Sequence, residues 1–333
     1  MFSKYPPLSK KGRRFAWILE PVNISPASRN ESVSGKKTFL RTRARIIQAL
    51  RSFFAHNGYL EVETPHLIPA PAPEFHIDPF ISGDWFLHTS PELCMKRLVS
   101  AGYHRIFQIC KCYRKGERGR LHLPEFTLLE WYRAHADYLS LMSESEELIN
   151  SVATHLGNSS VLRYQGKEID LTPPWERLPL KEAFTKYAPL PLEVALEEGA
   201  FEEMLTSYIE PQLGVQKPTI VYDYPLLYGA LARVKKADPT LVERFELYVA
   251  GIEVANAFSE LVDPIEQRKR FEEEEKKRRE AGKVPYPMPE AFLQSLPLMP
   301  QTAGCALGVD RLVMLFTDAP DINHCVAFTP EEL

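Results

Sequence analysis

Two periods of hydrophobic residues divide the chain into its predicted elements. Apolar side chains recur every three to four residues over 38–57, which predicts a long amphipathic helix. Asn57-Gly58 is a typical C-cap for that helix. Apolar and polar residues alternate over 106–113, and again from Pro124 onward, which predicts two strands joined by a loop.

The helical period of three to four residues and the strand period of two residues predict further elements in the rest of the chain. Ser90 is expected to cap a helix over 92–101, with Pro91 at its first position. The other predicted helices cover 137–156, 264–283 and 309–316, and the other predicted strands cover 59–62, 85–88, 162–164, 219–224 and 245–258. The last strand is interrupted at Ala250-Gly251, which indicates a hairpin. Hairpins with helices before and between them predict an α+β fold, an antiparallel sheet flanked by helices.

Composition narrows the class of protein. The 333 residues are 44% hydrophobic and 25% charged, which are ordinary values for a globular protein. A net charge of −4 argues against tRNA or DNA as the main partner. No run of apolar residues is long enough for a membrane span, so none is expected. Five cysteines without CxxC spacing favour free thiols in a reducing compartment, and we expect a cytoplasmic protein.

Two charged segments need separate interpretation. The predicted helix over 264–283 is so rich in charge that we expect a solvated face with i,i+4 pairs. The loop before Pro124 instead concentrates cationic side chains, which are Arg114, Lys115, Arg118, Arg120 and His122. Within the preceding strand, Cys110 and Cys112 share a face, where packing is favoured over metal binding.

The strand that follows this loop adds complementary chemistry. Alternation places four of its side chains on one face, namely Phe126, Leu128, Glu130 and Tyr132. A flat ring, a carboxylate and a phenol beside a cationic loop suit a site that grips a nucleotide phosphate at one end and an amine at the other. The alternative is a half-buried hairpin with a solvated turn.

Three segments, in this order, carry a resemblance to a known family. They are FLRTRARIIQALRSFFAHNGYLEVETPHL, the hairpin RIFQICKCYRKGERGRLHLPEFTLLEWYR, and GCALGVDRLVMLF preceded by FELYVAGIEVANAFSEL. Together they resemble class II aminoacyl-tRNA synthetases, most closely the catalytic domain of lysyl-tRNA synthetase, over about residues 38–330. The resemblance implies an N-terminal extension over 1–37 and a class II synthetase-like catalytic domain over 38–333.

The residues before the first segment are too few for the five-stranded OB-fold with which lysyl-tRNA synthetase reads the anticodon. We therefore expect no such domain, and the chain looks like the paralogous elongation factor P–lysine ligase family. That resemblance implies that ATP and Mg²⁺ are used to activate a lysine-like amino acid, (R)-β-lysine, as an adenylate. Transfer to a lysine side chain of elongation factor P would follow, without tRNA. The alternatives are a minimal lysyl-tRNA synthetase-like or carrier-protein aminoacyl ligase, and a non-catalytic regulatory paralogue.

The resemblance assigns roles at the nucleotide end of the site. Arg114 would bridge the substrate carboxylate and the α-phosphate, and with Arg311 it would be catalytic. Phe126 would stack on adenine, with Arg311 over the other face of the ring. His122 would reach the γ-phosphate.

Glu246 and Glu253 match the family's magnesium ligands, and Mg²⁺ prefers carboxylate oxygens. They lie on either side of Ala250-Gly251. Simple alternation places Glu253 on the opposite face from Asn256, so the family geometry needs a bulge or a strong twist there.

The implied amino-acid pocket consists of Ser90, Glu92, Glu130, Tyr132, Asn256, Glu260 and Ala306. Three carboxylates near one small ligand repel each other unless the ligand supplies positive charge. A diamino acid brings two ammonium groups, which favours lysine-like substrates over neutral ones.

The chain departs from the lysyl-tRNA synthetase pattern at two positions. Gly116 stands where a carboxylate is expected, so either Glu117 replaces it as an ATP-binding residue or the contacts differ. Ala306 stands where the synthetase has glycine, and the added methyl group should disfavour α-lysine in its usual pose. The helix over 38–57 corresponds to the family's dimer interface, and we expect a homodimer.

Overall fold

The computed structural model describes residues 34–157, 160–229 and 231–333. Its strands are β1 Leu60–Glu61, β2 Leu67–Ile68, β3 Ile81–Ser82, β4 Trp85–Leu87, β5 Arg105–Tyr113, β6 Glu125–Ala134, β7 Val161–Tyr164, β8 Lys167–Asp170, β9 Glu176–Pro179, β10 Thr219–Pro225, β11 Leu241–Val249, β12 Ile252–Ser259 and β13 Thr302–Gly308. Its α-helices are α1 Lys37–His56, α2 Glu92–Ser100, α3 Tyr138–Leu156, α4 Leu180–Tyr187, α5 Leu192–Glu197, α6 Phe201–Met204, α7 Pro264–Glu280, α8 Glu290–Ser295 and α9 Val309–Phe316.

One large sheet organises the described residues, with eight strands in the order β1-β5-β6-β13-β12-β11-β10-β9. All neighbours from β5 to β10 pair antiparallel. At the two edges, β1 pairs with β5 and β9 with β10 in parallel. Parallel pairs need a crossover connection, which the segments containing α2 and α4 to α6 provide. The predicted α+β fold is confirmed, and the sheet departs from the antiparallel arrangement only at its edges.

Strand β6 separates a packed face of the sheet from an open one. Leu129 and Trp131 point into the main hydrophobic core, which α1, α3 and α9 cover. Glu130 and Tyr132 point to the opposite face and line a cavity. The alternation predicted for this strand is confirmed, and it decides which side chains are available for chemistry.

Helix α1 packs its apolar stripe into this core. Its buried residues are Ile46, Ala49, Leu50, Phe53 and Phe54, and Phe54 stacks on Phe107 with ring centroids 4.7 Å apart. Burial of each large apolar side chain contributes about 1.5–3 kcal/mol. Because the stripe is used within the chain, the amphipathic pattern of α1 is not evidence for a dimer, and the homodimer stays a prediction.

The β11–β12 hairpin contains the bulge that the family geometry requires. Ala250 and Gly251 have positive φ values of 55° and 77°, as a tight two-residue turn demands. The register then shifts, since Tyr248 pairs with Glu253 but Leu247 pairs with Ala255. Val254 is the extra residue, and it brings Glu253 onto the face of Asn256. The predicted bulge is confirmed.

Helix α7 has the expected solvated face with i,i+4 ion pairs, such as Lys269–Glu273 and Lys276–Glu280, and it also has a buried inner face. Arg270 and Arg278 lie on its inner face and are 8% and 1% exposed. Arg270 Nη1 donates to the carbonyl oxygens of Gly229 and Ala232 at 2.6 and 2.9 Å. The charge run did not indicate this inner face, because its guanidinium groups satisfy buried backbone carbonyls that only the tertiary fold brings to the helix.

The N-cap of helix α2 lies one residue later than the predicted N-cap, Ser90. Pro91 occupies the N-cap and the helix begins at Glu92. The Ser90 hydroxyl nevertheless accepts a hydrogen bond from the Glu92 backbone N–H at 3.0 Å, which satisfies one of the free amides of the first turn.

Residues 1–33 of the N-terminal extension lie outside the described residues. At its end, Lys36 Nζ forms an ion pair with Glu332 Oε2 at 2.7 Å. Across the described residues, none of the helices is both long and apolar enough to cross a membrane.

Candidate active site

A cavity of ≈ 240 Å³ opens above the centre of the sheet, over β6, β12 and β13. It brings together nearly all of the site residues predicted from the sequence, namely Ser90, Glu92, Arg114, Glu117, His122, Phe126, Glu130, Tyr132, Glu253, Asn256, Glu260, Ala306 and Arg311. Glu246 is the exception, because it does not line the cavity. The geometry therefore groups residues that are far apart in the sequence, while their individual roles stay predictions.

A buried aspartate, Asp310, connects the three segments that carry the family resemblance. Asp310 Oδ2 accepts from the Thr127 backbone N–H at 2.7 Å, and Asp310 Oδ1 pairs with Arg43. Arg43 Nη2 in turn donates to Thr127 Oγ1 at 2.7 Å. Since α9 is fixed in this way to α1 and β6, Arg311 is placed over the cavity. The sequence analysis did not identify Arg43 or Asp310.

One end of the cavity contains the two predicted arginines, Arg114 and Arg311. Arg311 Nη1 lies 3.0 Å from Glu253 Oε2, and Arg311 Nη2 donates to His122 Nε2 at 2.7 Å. Burial, and then the charge of Arg311, lower the pKa of His122, so the imidazole is neutral at pH 7. Because the neutral His122 ring adds no charge, Arg114 and Arg311 carry the positive charge of this end, beside the carboxylates of Glu117 and Glu253.

Arg114 lies beside these groups and is loosely tethered. Its guanidinium carbon is 5.0 Å from the centroid of Phe126, its Nε donates to Thr89 O at 3.4 Å, and its Nη1 is 3.8 Å from Glu117 Oε1. The residue that lies over the Phe126 ring is thus Arg114, while the placement of Phe126 and Arg311 on either side of adenine stays a prediction. Long contacts leave Arg114 able to turn toward an anion.

Gly116 has a positive φ of 85°, with open space where a Cβ would stand. Glycine is favoured at this position because it adopts that backbone conformation without strain. The turn carries Glu117 into the cavity lining. This placement supports the interpretation that Glu117 replaces the missing carboxylate.

The other end of the cavity is acidic and buried. Glu130 accepts hydrogen bonds from Ser90 Oγ at 2.6 Å and from the Tyr132 hydroxyl at 2.8 Å. Burial, and then the charge of Glu92, raise the pKa of Glu130 to about 8. Burial likewise raises the pKa of Glu260 to about 8. In the free protein Glu130 retains a proton that a ligand ammonium group would replace, whereas Glu260 is paired with the Lys96 ammonium.

Gly304 makes room for the acidic end. A Cβ at this position would lie 2.4 Å from both Glu260 Oε1 and Tyr132 Cε1, closer than any side chain tolerates. Gly304 is therefore required if β13 is to pass beneath the two side chains. Ala306, two residues along the same strand, pairs with Glu130 on one side and with Asn256 on the other.

Lys96 offsets part of the negative charge of Glu92, Glu130 and Glu260. The ligand was expected to supply all of the compensating positive charge, and this expectation was wrong. Its ammonium forms ion pairs with both Glu92 and Glu260, and only 1% of the residue is exposed. The signal was present in the sequence, since Lys96 follows Glu92 at the i+4 spacing that favours an ion pair on a helix. With one carboxylate charge offset by the protein, the remaining acids still favour a ligand that carries more than one positive charge.

The two predicted metal ligands differ in their surroundings. Burial opposes ionisation of Glu253, but Arg311 lowers its pKa below the usual value. Glu246 accepts from the hydroxyls of Tyr224 and Tyr248 at 2.7 and 2.6 Å and pairs with Arg244 at 2.5 Å. A carboxylate offers about four lone-pair sites, so Glu246 keeps about one for a cation. The donor set fits Mg²⁺, with Glu246 restricted to a single contact.

The cysteines of β5 pack beneath this site. Cys110 and Cys112 form a small apolar cluster with Leu128, which confirms the packing role. His88 joins them, with ligand atoms all within 4.8 Å of one another. His88 Nε2, however, lies 2.7 Å from the Lys111 carbonyl oxygen, to which it must donate a proton. That nitrogen therefore has no lone pair to offer a metal in this arrangement.

Glu74 is a further cavity residue that the sequence analysis missed. It belongs to a proline-broken segment without helical or strand periodicity, and it lines the cavity near Glu92 and Arg114. Burial, and then the charge of Glu92, raise the pKa of Glu74 to about 7. No sequence pattern would have singled it out.

The fold has the architecture of a class II synthetase catalytic domain, with a cavity over the antiparallel part of the sheet that holds arginines at one end and buried acids at the other. The profile of the family "tRNA synthetases class II (D, K and N)" matches residues 29–332, and the chain belongs to this family. Both the suspected family and its fold are confirmed.

The curated relatives are lysine ligases of two kinds. The chain is 38% identical over 332 residues to the "Lysine--tRNA ligase" of Prochlorococcus marinus, an alignment that covers 92% of the chain and 64% of the relative. It is 39% identical over 321 residues to the "Lysine--tRNA ligase" of Moorella thermoacetica, with 88% and 65% covered. It is also 39% identical over 307 residues to the "Elongation factor P--(R)-beta-lysine ligase" of Erwinia tasmaniensis, with 87% and 94% covered. The chain thus spans slightly less than two thirds of the length of these lysine–tRNA ligases.

Proposed function

We propose that this protein uses ATP to activate a lysine-like amino acid, (R)-β-lysine, as an adenylate and transfers the acyl group to a lysine side chain of elongation factor P. The observation that carries the proposal is the polarity of the cavity, with Arg114 and Arg311 at one end and Glu92, Glu130 and Glu260 at the other. A diamino acid joined to a nucleotide phosphate has the complementary distribution of charge.

The first step would form a bond from a substrate carboxylate oxygen to the α-phosphorus of ATP, and pyrophosphate would leave. Such a step depends on positioning and on neutralising charge rather than on a base. Arg114, held only by long contacts, would turn from Phe126 to bridge the carboxylate and the α-phosphate. Phe126 would then stack on adenine, with Arg311 on the other face of the ring, while His122 would reach the γ-phosphate.

Mg²⁺ would be held by Glu253 and, through a single oxygen, by Glu246, and it would supply charge neutralisation for the phosphates. Arg311, which pairs with Glu253 at 3.0 Å, orients that carboxylate. Glu117 would take the place of the carboxylate that is absent at Gly116.

At the acidic end, Glu130 and Glu260 would bind the ammonium groups of the substrate, and Ser90 and Tyr132 would orient Glu130. Asn256 and Ala306 would complete the pocket wall. Ala306 favours β-lysine in this proposal, because its methyl group narrows the pocket where the family's synthetases have glycine.

The Erwinia tasmaniensis relative supports the protein acceptor, since 94% of its length aligns with this chain. The lysine–tRNA ligase relatives support the competing candidate, in which tRNA is the acceptor. The net charge of −4 favours the protein acceptor, because binding to a phosphate backbone depends on basic surface. A translation factor as acceptor would place the reaction in the cytoplasm, and a homodimer formed through α1 belongs to the same proposal.

Intact-mass analysis tests the proposal directly. Elongation factor P is incubated with this protein, ATP, Mg²⁺ and either α-lysine or (R)-β-lysine, and total tRNA is offered in a parallel reaction. We expect a mass increase of one β-lysyl group on the factor and no charged tRNA. Lysyl-tRNA as the product would replace the proposal with the tRNA candidate. Absence of pyrophosphate exchange with every amino acid would indicate a non-catalytic paralogue.

A further inference from the structure

A second cavity, of ≈ 290 Å³, adjoins the first and shares Glu74, Ser90 and Glu92 with it. Its wall is mostly apolar and includes Pro69, Pro71, Leu93, Pro287, Met288 and Phe292. Exposed Arg97 and Glu290 also line it, so it reaches the protein surface. The second cavity thus extends from the surface to residues that also line the acidic end of the first.

Glu74 stands where the two cavities meet, on a firmly held backbone. Arg278 Nη1 donates to the Glu74 carbonyl oxygen at 2.8 Å, and the next residue, Phe75, donates its backbone N–H to Glu274 Oε2 at 2.9 Å. Both anchors come from α7. Across residues 34–157, 160–229 and 231–333, no hydrogen bond or ion pair to the Glu74 carboxylate is found. The backbone is therefore fixed while the carboxylate stays available.

The surroundings of Glu74 suit proton transfer near neutral pH. Burial, together with the charges of Glu92 and Glu274, raises its pKa to about 7 against the opposing charges of Arg114 and Arg244. A general base is most effective when its pKa lies near the working pH. The carboxylate shares the first cavity with Arg114, which the proposed function assigns to the activated acyl group.

We propose that Glu74 is the general base that deprotonates an alkylammonium acceptor, and that the second cavity holds the aliphatic stem of that acceptor, a lysine side chain. This inference rests on the proposed function. One ammonium proton moves to the Glu74 carboxylate, and the freed nitrogen lone pair forms a bond with the acyl carbon of the adenylate. The bond from that carbon to the phosphate oxygen breaks, AMP leaves with its electron pair, and the amide nitrogen loses its second surplus proton to water.

The base is needed because the acceptor is an amine. A lysine ammonium group has a pKa of about 10.4 in water, so only a very small fraction is neutral at pH 7. The apolar wall of the second cavity lowers the pKa of an ammonium group that enters it, which brings it closer to that of Glu74. The methylene groups of a lysine stem match the same wall.

The test compares two acceptors that differ in their need for a base. Elongation factor P presents an ammonium group, whereas hydroxylamine is already mostly neutral at pH 7. For Glu74→Gln we expect pyrophosphate exchange within about twofold of the parent, acylation of the factor reduced about 10²-fold or more, and acylation of hydroxylamine unchanged. In the parent, transfer to the factor should also decline below about pH 7, and this decline should be absent in the variant.

Glu272→Gln is the matched control, because Glu272 is an exposed acid on α7 that lines neither cavity. It should behave as the parent in all three assays. Full acylation of the factor by Glu74→Gln would overturn the role of the base, as would an equal loss with both acceptors. A parent that gives no pyrophosphate exchange would instead overturn the proposed function itself, and the base with it.

Discussion

Lys96 and Glu260 form an ion pair that is almost completely buried, with 1% and 0% of the two side chains exposed. The same ammonium group pairs with Glu92, one helical turn away. Burial opposes the charge on Lys96, yet Glu260 and Glu92 raise its pKa above the usual value. Lys96 therefore stays cationic and offsets part of the acidic charge before any substrate arrives.

Replacing Lys96 by methionine should destabilise the fold by about 3 kcal/mol, because it leaves a buried carboxylate without its cation. The loss should be larger at about pH 9 than at about pH 6. At the lower pH Glu260 can take up a proton, since burial raises its pKa to about 8. Urea unfolding at the two pH values measures both effects.

Glu260→Gln combined with Lys96→Met provides the matched comparison. The double variant should recover part of the lost stability, since no unpaired charge remains at position 260. A Lys96→Met protein as stable as the parent at the higher pH would show that the pair contributes nothing to the fold.

The protonation of Glu130 should make amino-acid binding depend on pH. Its pKa is raised to about 8 by burial and then by Glu92, and a protonated carboxyl pairs poorly with an ammonium group. We expect the KM for the amino acid to fall as the pH rises from about 6.5 to about 8.5, with about one proton released per ligand bound near pH 7. Calorimetry in two buffers with different ionisation enthalpies measures that release. Glu130→Gln should abolish it, and release that persists in this variant would refute the assignment.

The raised pKa of Glu130 should also make the free energy of unfolding depend on pH. The direction is opposite to that for a carboxylate whose pKa is lowered by an ion pair. Between about pH 4.5 and about pH 8 folded Glu130 keeps a proton that the unfolded chain has lost. The free energy of unfolding should therefore decrease as the pH rises through this window. Comparing the parent with Glu130→Gln in thermal unfolding isolates this contribution, and parallel pH profiles for the two proteins would contradict it.

The periodic parts of the sequence predicted this site well. Alternation on β6 placed Glu130 and Tyr132 on the cavity face because the strand has one packed face and one open face. The need for a bulge near Glu253 also followed from counting residues along β12. The first result depends on backbone geometry alone, which a period of two residues encodes, whereas the second also needed the face that the family resemblance assigns to Glu253.

What the sequence did not reveal depends on side chains that meet across long distances. Lys96 has the spacing of a surface helix pair, and only the tertiary fold shows that it is buried against Glu260. Glu74 lies in a segment without any period, and its position depends on Arg278 of α7, about 200 residues away. The sequence of α7 did not single out Arg278, because most of the charged residues around Arg278 on this helix are solvated.

Ala306→Gly should increase the activation of α-lysine relative to β-lysine. Ala306 lies between Glu130 and Asn256 across the sheet, so its methyl group occupies space at the substrate end. One methyl group in such a pocket is worth about 10–200-fold in discrimination. Pyrophosphate exchange with each isomer measures the ratio. An Ala306→Gly protein with the α-lysine activity of the parent would remove Ala306 as a determinant of specificity.

Arg114→Lys should lower pyrophosphate exchange by a factor of about 10²–10³, the usual loss when one donor that stabilises transition-state charge is removed. Lysine keeps the charge but cannot contact a carboxylate and a phosphate with a planar fork. Stability should change little, because the Arg114 side chain is held by long contacts of 3.4 and 3.8 Å and by its approach to the Phe126 ring at 5.0 Å. Arg118→Lys in the same loop is the matched control, since Arg118 pairs with Glu331 at 2.9 Å and does not line the cavity. Equal exchange rates in the two variants would mean that the loop supplies only general positive charge, while a large loss confined to Arg114→Lys would identify the bidentate contact as the catalytic element.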